Sequence, residues 1–133
     1  MPDFAGVSHV TLSVRDRDAS RTWYEDVLGF QMIEENREEA FVEWILLHPD
    51  NRMVLCLQQH MANRGEPFDP TRTGGDHIGL KVESREELDK WAAWFAERDV
   101  VCSPVAERPY GAVLCFKDLD GIQLEMFYRP DHP

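Results

Sequence analysis

The segment His9-Val-Thr-Leu-Ser-Val14 returns as His77-Ile-Gly-Leu-Lys-Val82, 68 positions later and about half the 133-residue chain away. A self-similarity of this period means one supersecondary unit written twice, and a fold must accommodate both copies in equivalent ways. Arg17 and Arg85, and Trp23 and Trp91, keep the same offset inside segments whose apolar residues recur at helical spacing. Each half closes on a turn followed by an alternating run: Pro49-Asp50-Asn51 before Met53 to Gln58, and Asp118-Leu119-Asp120-Gly121 before Ile122 to Tyr128.

The order within each copy reads strand, helix, strand, strand, strand. The first spans about 6–14, 18–28, 31–36, 40–47 and 53–59, and the second about 76–82, 85–98, 103–107, 111–117 and 122–128. Gly29 is placed to end the first helix in a left-handed cap. Ser84 with Glu87 three residues on reads as a capping box opening the second. This makes one α+β domain over 1–133, with module one at about 5–60, module two at about 76–129, and a connector at about 60–75 whose Pro67, Pro70 and Gly74-Gly75 suit a surface loop.

Strand side chains alternate, so His9 shares a face with Thr11 and Ser13 while Val10, Leu12 and Val14 face the helix. In the same way His77 lies with Gly79 and Lys81, and Glu125 lies opposite Leu124, Met126 and Tyr128. Two imidazoles and one carboxylate leave coordination positions for water and substrate, as a catalytic divalent ion requires. Taken singly, His9 and His77 read equally as strand histidines bonded to backbone, and Glu125 as a surface carboxylate. The shared register is what favours the metal. His48, His60 and His132 precede a Pro-Asp turn, end a strand and sit near the carboxyl end, and are assigned no role. Trp23, Trp91, Trp94 and Phe95 lie at helical spacing and read as core or subunit contact.

A net charge of −11 repels phosphate backbones and anionic lipid surfaces, so neither nucleic acid nor membrane is expected as a partner. Uncharged apolar stretches such as Trp44 to Leu47 are far short of a bilayer span. The amino-terminal Met-Pro-Asp-Phe-Ala-Gly has no secretory character, and Cys56, Cys102 and Cys115 form no close pair. Both point to a reducing, cytoplasmic setting.

The segments His9-Val-Thr-Leu-Ser-Val-Arg15, Trp23-Tyr24-Glu25-Asp26-Val27-Leu28-Gly29-Phe30, Asp76-His77-Ile78-Gly79-Leu80 and Asp120-Gly121-Ile122-Gln123-Leu124-Glu125 together resemble the vicinal oxygen chelate superfamily. That superfamily includes glyoxalase I, extradiol dioxygenases, and fosfomycin- and bleomycin-resistance proteins. The resemblance implies two βαβββ modules whose curled mixed sheets surround a metal cavity. It implies His9, His77 and Glu125 as ligands to one divalent ion (Fe, Mn, Ni, Co or Zn), and a small-molecule substrate bound through two neighbouring oxygens. Register matching puts Cys56 where glyoxalase I has a glutamate, as a soft fourth ligand or a small residue lining the cavity.

Thr11, Phe41, Trp44, Cys56 and Phe127 are then expected to line the substrate pocket. Tyr110 is the expected acid/base group, with packing on Pro109 as its alternative role. The function expected is an extradiol-type dioxygenase or a glyoxalase-like isomerase or lyase. A metal-free protein sequestering a cationic drug, as bleomycin-resistance proteins do, is the alternative from another class. A fosfomycin-modifying transferase is a lesser one, because its lysine- and serine-rich loop has no counterpart near Cys102 to Ala112. Sheet edges in each module favour a homodimer.

Overall fold

The computed structural model describes residues 1–131; His132 lies outside the described residues. The chain divides into two compact units, Met1–Glu66 and the residues from Pro67 onward. The first contains β1 (Val10–Ser13), α1 (Arg17–Leu28), β2 (Gln31–Arg37), β3 (Phe41–Leu47) and β4 (Val54–His60). The second contains β5 (His77–Lys81), α2 (Arg85–Glu97), β6 (Ala106–Arg108), β7 (Gly111–Lys117) and β8 (Gln123–Tyr128). Each unit holds one four-stranded sheet, ordered β1-β4-β3-β2 and β5-β8-β7-β6. In both, the first strand pairs in parallel with the last and the other pairs are antiparallel. The α+β class and the doubled βαβββ order read from the repeat are therefore present.

Helix α1 starts where the Asp16 side chain accepts hydrogen bonds from the backbone N–H groups of Asp18 and Ala19, satisfying donors the first turn leaves open. It ends at Gly29, whose φ of 76° is the left-handed cap expected of it. Ser20, Tyr24, Val27 and Leu28 are buried, a stripe at helical spacing turned toward the sheet. Helix α2 buries Leu88 and Phe95, and Phe95 packs 4.5 Å, centroid to centroid, from Phe116 of β7. Ser84 stands at its N-cap but makes no side-chain cap bond, and Glu87 pairs with Lys90 instead. The expected capping box is not formed, because the acid finds a cation one turn on.

Strands β1 and β6 start several residues later than the pattern implied. The β1 ladder covers Val10 to Ser13, and Gly6, at φ 130°, turns the chain out of the extended path before it. The β6 ladder begins only at Ala106. Pro104 has no N–H to give, and at Ser103 the hydroxyl replaces a main-chain carbonyl as acceptor for the Cys115 N–H at 3.0 Å.

Arg17 is 6% exposed and ties α1 to the sheet. Its guanidinium donates to Glu35 Oε1 at 2.6 Å and to the Glu43 carbonyl at 3.3 Å, and lies 4.4 Å from the Trp44 ring centroid. Arg17 and Arg37 together hold the Glu35 carboxyl below its ordinary range.

Gly111 opens β7 at φ 152°, and a Cβ there would stand 2.0 Å from the Tyr128 carbonyl oxygen. Gly111→Ala is expected to lower unfolding free energy by about 3 kcal/mol, since the clash is with backbone and the dihedral is strained. Urea titration of the two chains measures it, and a loss below about 1 kcal/mol contradicts this account of β7.

Candidate functional site

In each sheet, residues directly opposite one another point to the same side. Within the first unit, Thr11 pairs with Cys56, Cys56 with Ile45, and Glu43 with Gln58. Thr11, Glu43, Cys56 and Gln58 therefore share the face turned away from α1. Phe41, opposite His60, belongs to it too, its ring 5.9 Å from the His60 ring. His9 immediately precedes β1 and is exposed, with Nδ1 2.8 Å from Ser8 Oγ.

Trp44 does not belong to this face. It pairs with Leu57, which is fully buried, and with Glu35, so it stands on the helix side. There its Nε1 donates to Asp18 Oδ1 at 2.6 Å, and Arg17 and Arg21 lie over its ring. The physical reason is the two-residue period of a strand: Phe41 and Trp44 are three apart and cannot share a side.

Within the second unit, Glu125 lies opposite Gly79 on β5 and Cys115 on β7, and Phe127 opposite Lys81 and Val113. His77 Nε2 is 3.7 Å from Glu125 Oε1, so the structure brings these two together. On the other side of the ring, Nδ1 is 2.7 Å from Asp76 Oδ1. The Asp76 hydrogen bond raises the His77 pKa above its ordinary value, with the charges of Glu125 and Asp76 adding to it against partial burial. Tyr110 is 49% exposed, and its ring lies 6.0 Å from that of Phe127. It thus sits beside a residue of the Glu125 face.

Within each unit, the described His, Cys, Asp and Glu side chains form no group of three able to hold a metal. The donor chemistry nevertheless fits one. An imidazole whose Nδ1–H is held by a neighbouring oxygen keeps the Nε2 lone pair available, and the Asp76 carboxylate supplies that oxygen for His77. His77 Nε2 also faces a carboxylate that accepts and does not donate.

Cys56 is 6% exposed, and its thiol pKa is pushed up mainly by burial, opposed by a hydrogen bond with Thr11 and helped by the nearby Glu43 charge. That environment keeps the sulfur protonated. Glu43 was missed by sequence reasoning. It is 9% exposed and accepts a hydrogen bond from Asn36 Nδ2 at 3.1 Å. Counting by twos from Phe41 would have found it. Cys115, exposed and opposite Glu125, was likewise given no role.

A family model for the glyoxalase/bleomycin resistance protein/dioxygenase superfamily matches residues 6–126. The chain belongs to this superfamily. A superfamily domain from Frankia sp. EAN1pec, solved by crystallography, is 33% identical, with a TM-score of 0.88 over 96% of this chain and 99% of that one. The protein YaeR of Escherichia coli K12 is 27% identical over 91% of this chain and 94% of its own. The metallothiol transferase FosB of Staphylococcus epidermidis is 24% identical over 91% of this chain and 81% of its own. Superfamily membership establishes the scaffold, which hosts many reactions. No helix among the described residues is long and apolar enough to cross a membrane.

Because Asp76 favours protonated His77, any stability from this pair is present at low pH and lost as pH rises through the raised His77 pKa. Asp76→Asn is expected to lower the titration midpoint of His77, followed by imidazole NMR in the metal-free protein. An unchanged midpoint removes Asp76 as the orienting partner.

Proposed function

We propose that the chain is a divalent-metal enzyme of its superfamily, acting on a small molecule that presents two adjacent oxygens. His9, His77 and Glu125 are the protein ligands in this reading, with His9 contributed by the same chain or by a partner copy in a homodimer. The observation that carries it is the state of the two histidines: each has Nδ1 held by the residue before it, and His77 Nε2 faces Glu125. Structural strand histidines have no need of that arrangement twice at equivalent positions.

When bound, the ion would supply Lewis acidity to the substrate oxygens. Asp76 holds the His77 imidazole with its Nδ1–H turned to the carboxylate, and Ser8 bonds the His9 ring at Nδ1. Phe41 in the first unit and Phe127 in the second each bring apolar surface, suited to the carbon frame of a substrate, to the polar face of their own sheet, and Thr11 offers a hydroxyl on the first. Tyr110, next to Phe127, is assigned the proton donor. Cys56 stays a neutral thiol lining the face, which leaves a three-ligand set matching an extradiol-type dioxygenase or a glyoxalase-like isomerase or lyase. Transfer of an external thiol to the substrate is a second reading, favoured by the similarity to FosB over 91% of this chain.

Elemental analysis of protein purified without chelator is expected to give about one divalent ion per chain, with little in His77→Ala or Glu125→Gln. Equal metal in all three, or none in the unaltered chain, defeats the proposal and promotes the metal-free binding protein. Catechols, 2-oxoaldehyde–thiol adducts and an epoxide with added thiol, tried with Fe, Mn, Ni, Co and Zn, separate the reactions.

A further inference from the structure

Gly79 lies in the middle of β5, directly opposite Glu125 on β8. Its backbone is ordinary strand, unlike the positive-φ glycines of this chain, so nothing in the main chain requires glycine there. A strand interior is also a poor place for one, since glycine adds flexibility and packs nothing. Such a residue marks a close approach by another group. Here the group is the Glu125 side chain: a Cβ at Gly79 would stand 3.2 Å from Oε1, 3.7 Å from Cγ and 4.0 Å from Cδ. The glutamate folds over the space that glycine leaves, and this puts Oε1 3.7 Å from His77 Nε2.

The first unit has the opposite arrangement at the same register. Thr11 faces Cys56, and its hydroxyl hydrogen-bonds the thiol. A long acid thus faces no side chain in one half, while a short thiol faces a β-branched one in the other.

We propose that Gly79 is a positioning residue whose missing side chain sets the Glu125 carboxylate beside His77, and that Thr11 in the equivalent place fills the room a carboxylate would need. The consequence for metal binding rests on the function proposed above; the placement of Glu125 does not. Only the backbone-compatible substitutions Gly79→Ala and Gly79→Thr are needed to test it. Three measurements apply: thermal melting in chelator, metal-free crystal structures, and calorimetric titration with Mn or Zn.

Melting temperatures are expected to hold or rise, because alanine and threonine both suit a strand better than glycine. Metal affinity should fall in the order unaltered, Ala, Thr, with Thr at least about tenfold weaker, the scale seen when groups that orient ligands are removed. The Gly79→Thr crystal structure should show the carboxylate moved away from His77. A carboxylate still in place beside His77, or equal affinity in all three chains where the unaltered chain binds metal, overturns the proposal. An unaltered chain that binds no metal sinks the proposed function, while the metal-free structures still decide the role of Gly79. If the threonine variant does not fold, the alanine variant carries the same comparison.

Discussion

Each unit is organised by the parallel pairing of its first strand with its last. That pairing fixes the phase of β1 against β4 and of β5 against β8, and with it which side chains face the helix. One face must be covered, because Val14, Leu55, Leu57 and Leu46 in one sheet, and Leu114, Leu124 and Met126 in the other, cannot remain in water. The helix does this, and the other face mixes polar residues such as Thr11, Glu43, Gln58 and Glu125 with apolar ones. A slip of one residue at β5 would send His77 into the core and Ile78 out, so the chemistry and the packing are specified together.

Much of this was legible in the sequence. The offset between His9 and His77 revealed the doubling, period-two alternation gave the faces of β1, β5 and β8, and Gly29 announced the end of α1. What stayed hidden depended on contacts between segments far apart in the chain. Trp44 was misplaced because its partners, Asp18, Arg17 and Arg21, come from the helix, and an aromatic in a strand does not say which side it serves. Glu43 passed unnoticed because an acid in an apolar run reads as exposed until Asn36 is seen bonded to it. Glu87 satisfied a capping pattern, yet Lys90 competed for it successfully.

The two histidines are alike in position and unlike in electrostatics. His77 has a carboxylate on each side, Asp76 at Nδ1 and Glu125 toward Nε2. His9 has the neutral hydroxyl of Ser8 at Nδ1. A cation approaching His77 therefore meets preformed negative charge, whereas at His9 the bonded neighbour is neutral. The slot opposite Thr11 continues that difference, since Cys56 is held as a thiol where the other half presents an acid.

Pairing the first strand of each unit with its last also governs how the chain reaches its native state. The hairpins β3–β4 and β7–β8 join neighbours across short turns, but Val10 must find Leu55 and His77 must find Gln123 from about two thirds of the length of a unit. Loop-closure entropy makes such distant partners late to meet. The strands that carry or adjoin the two histidines would then dock last, so a nascent or partly unfolded chain would lack the His77–Glu125 pairing even with most of its hairpins in place.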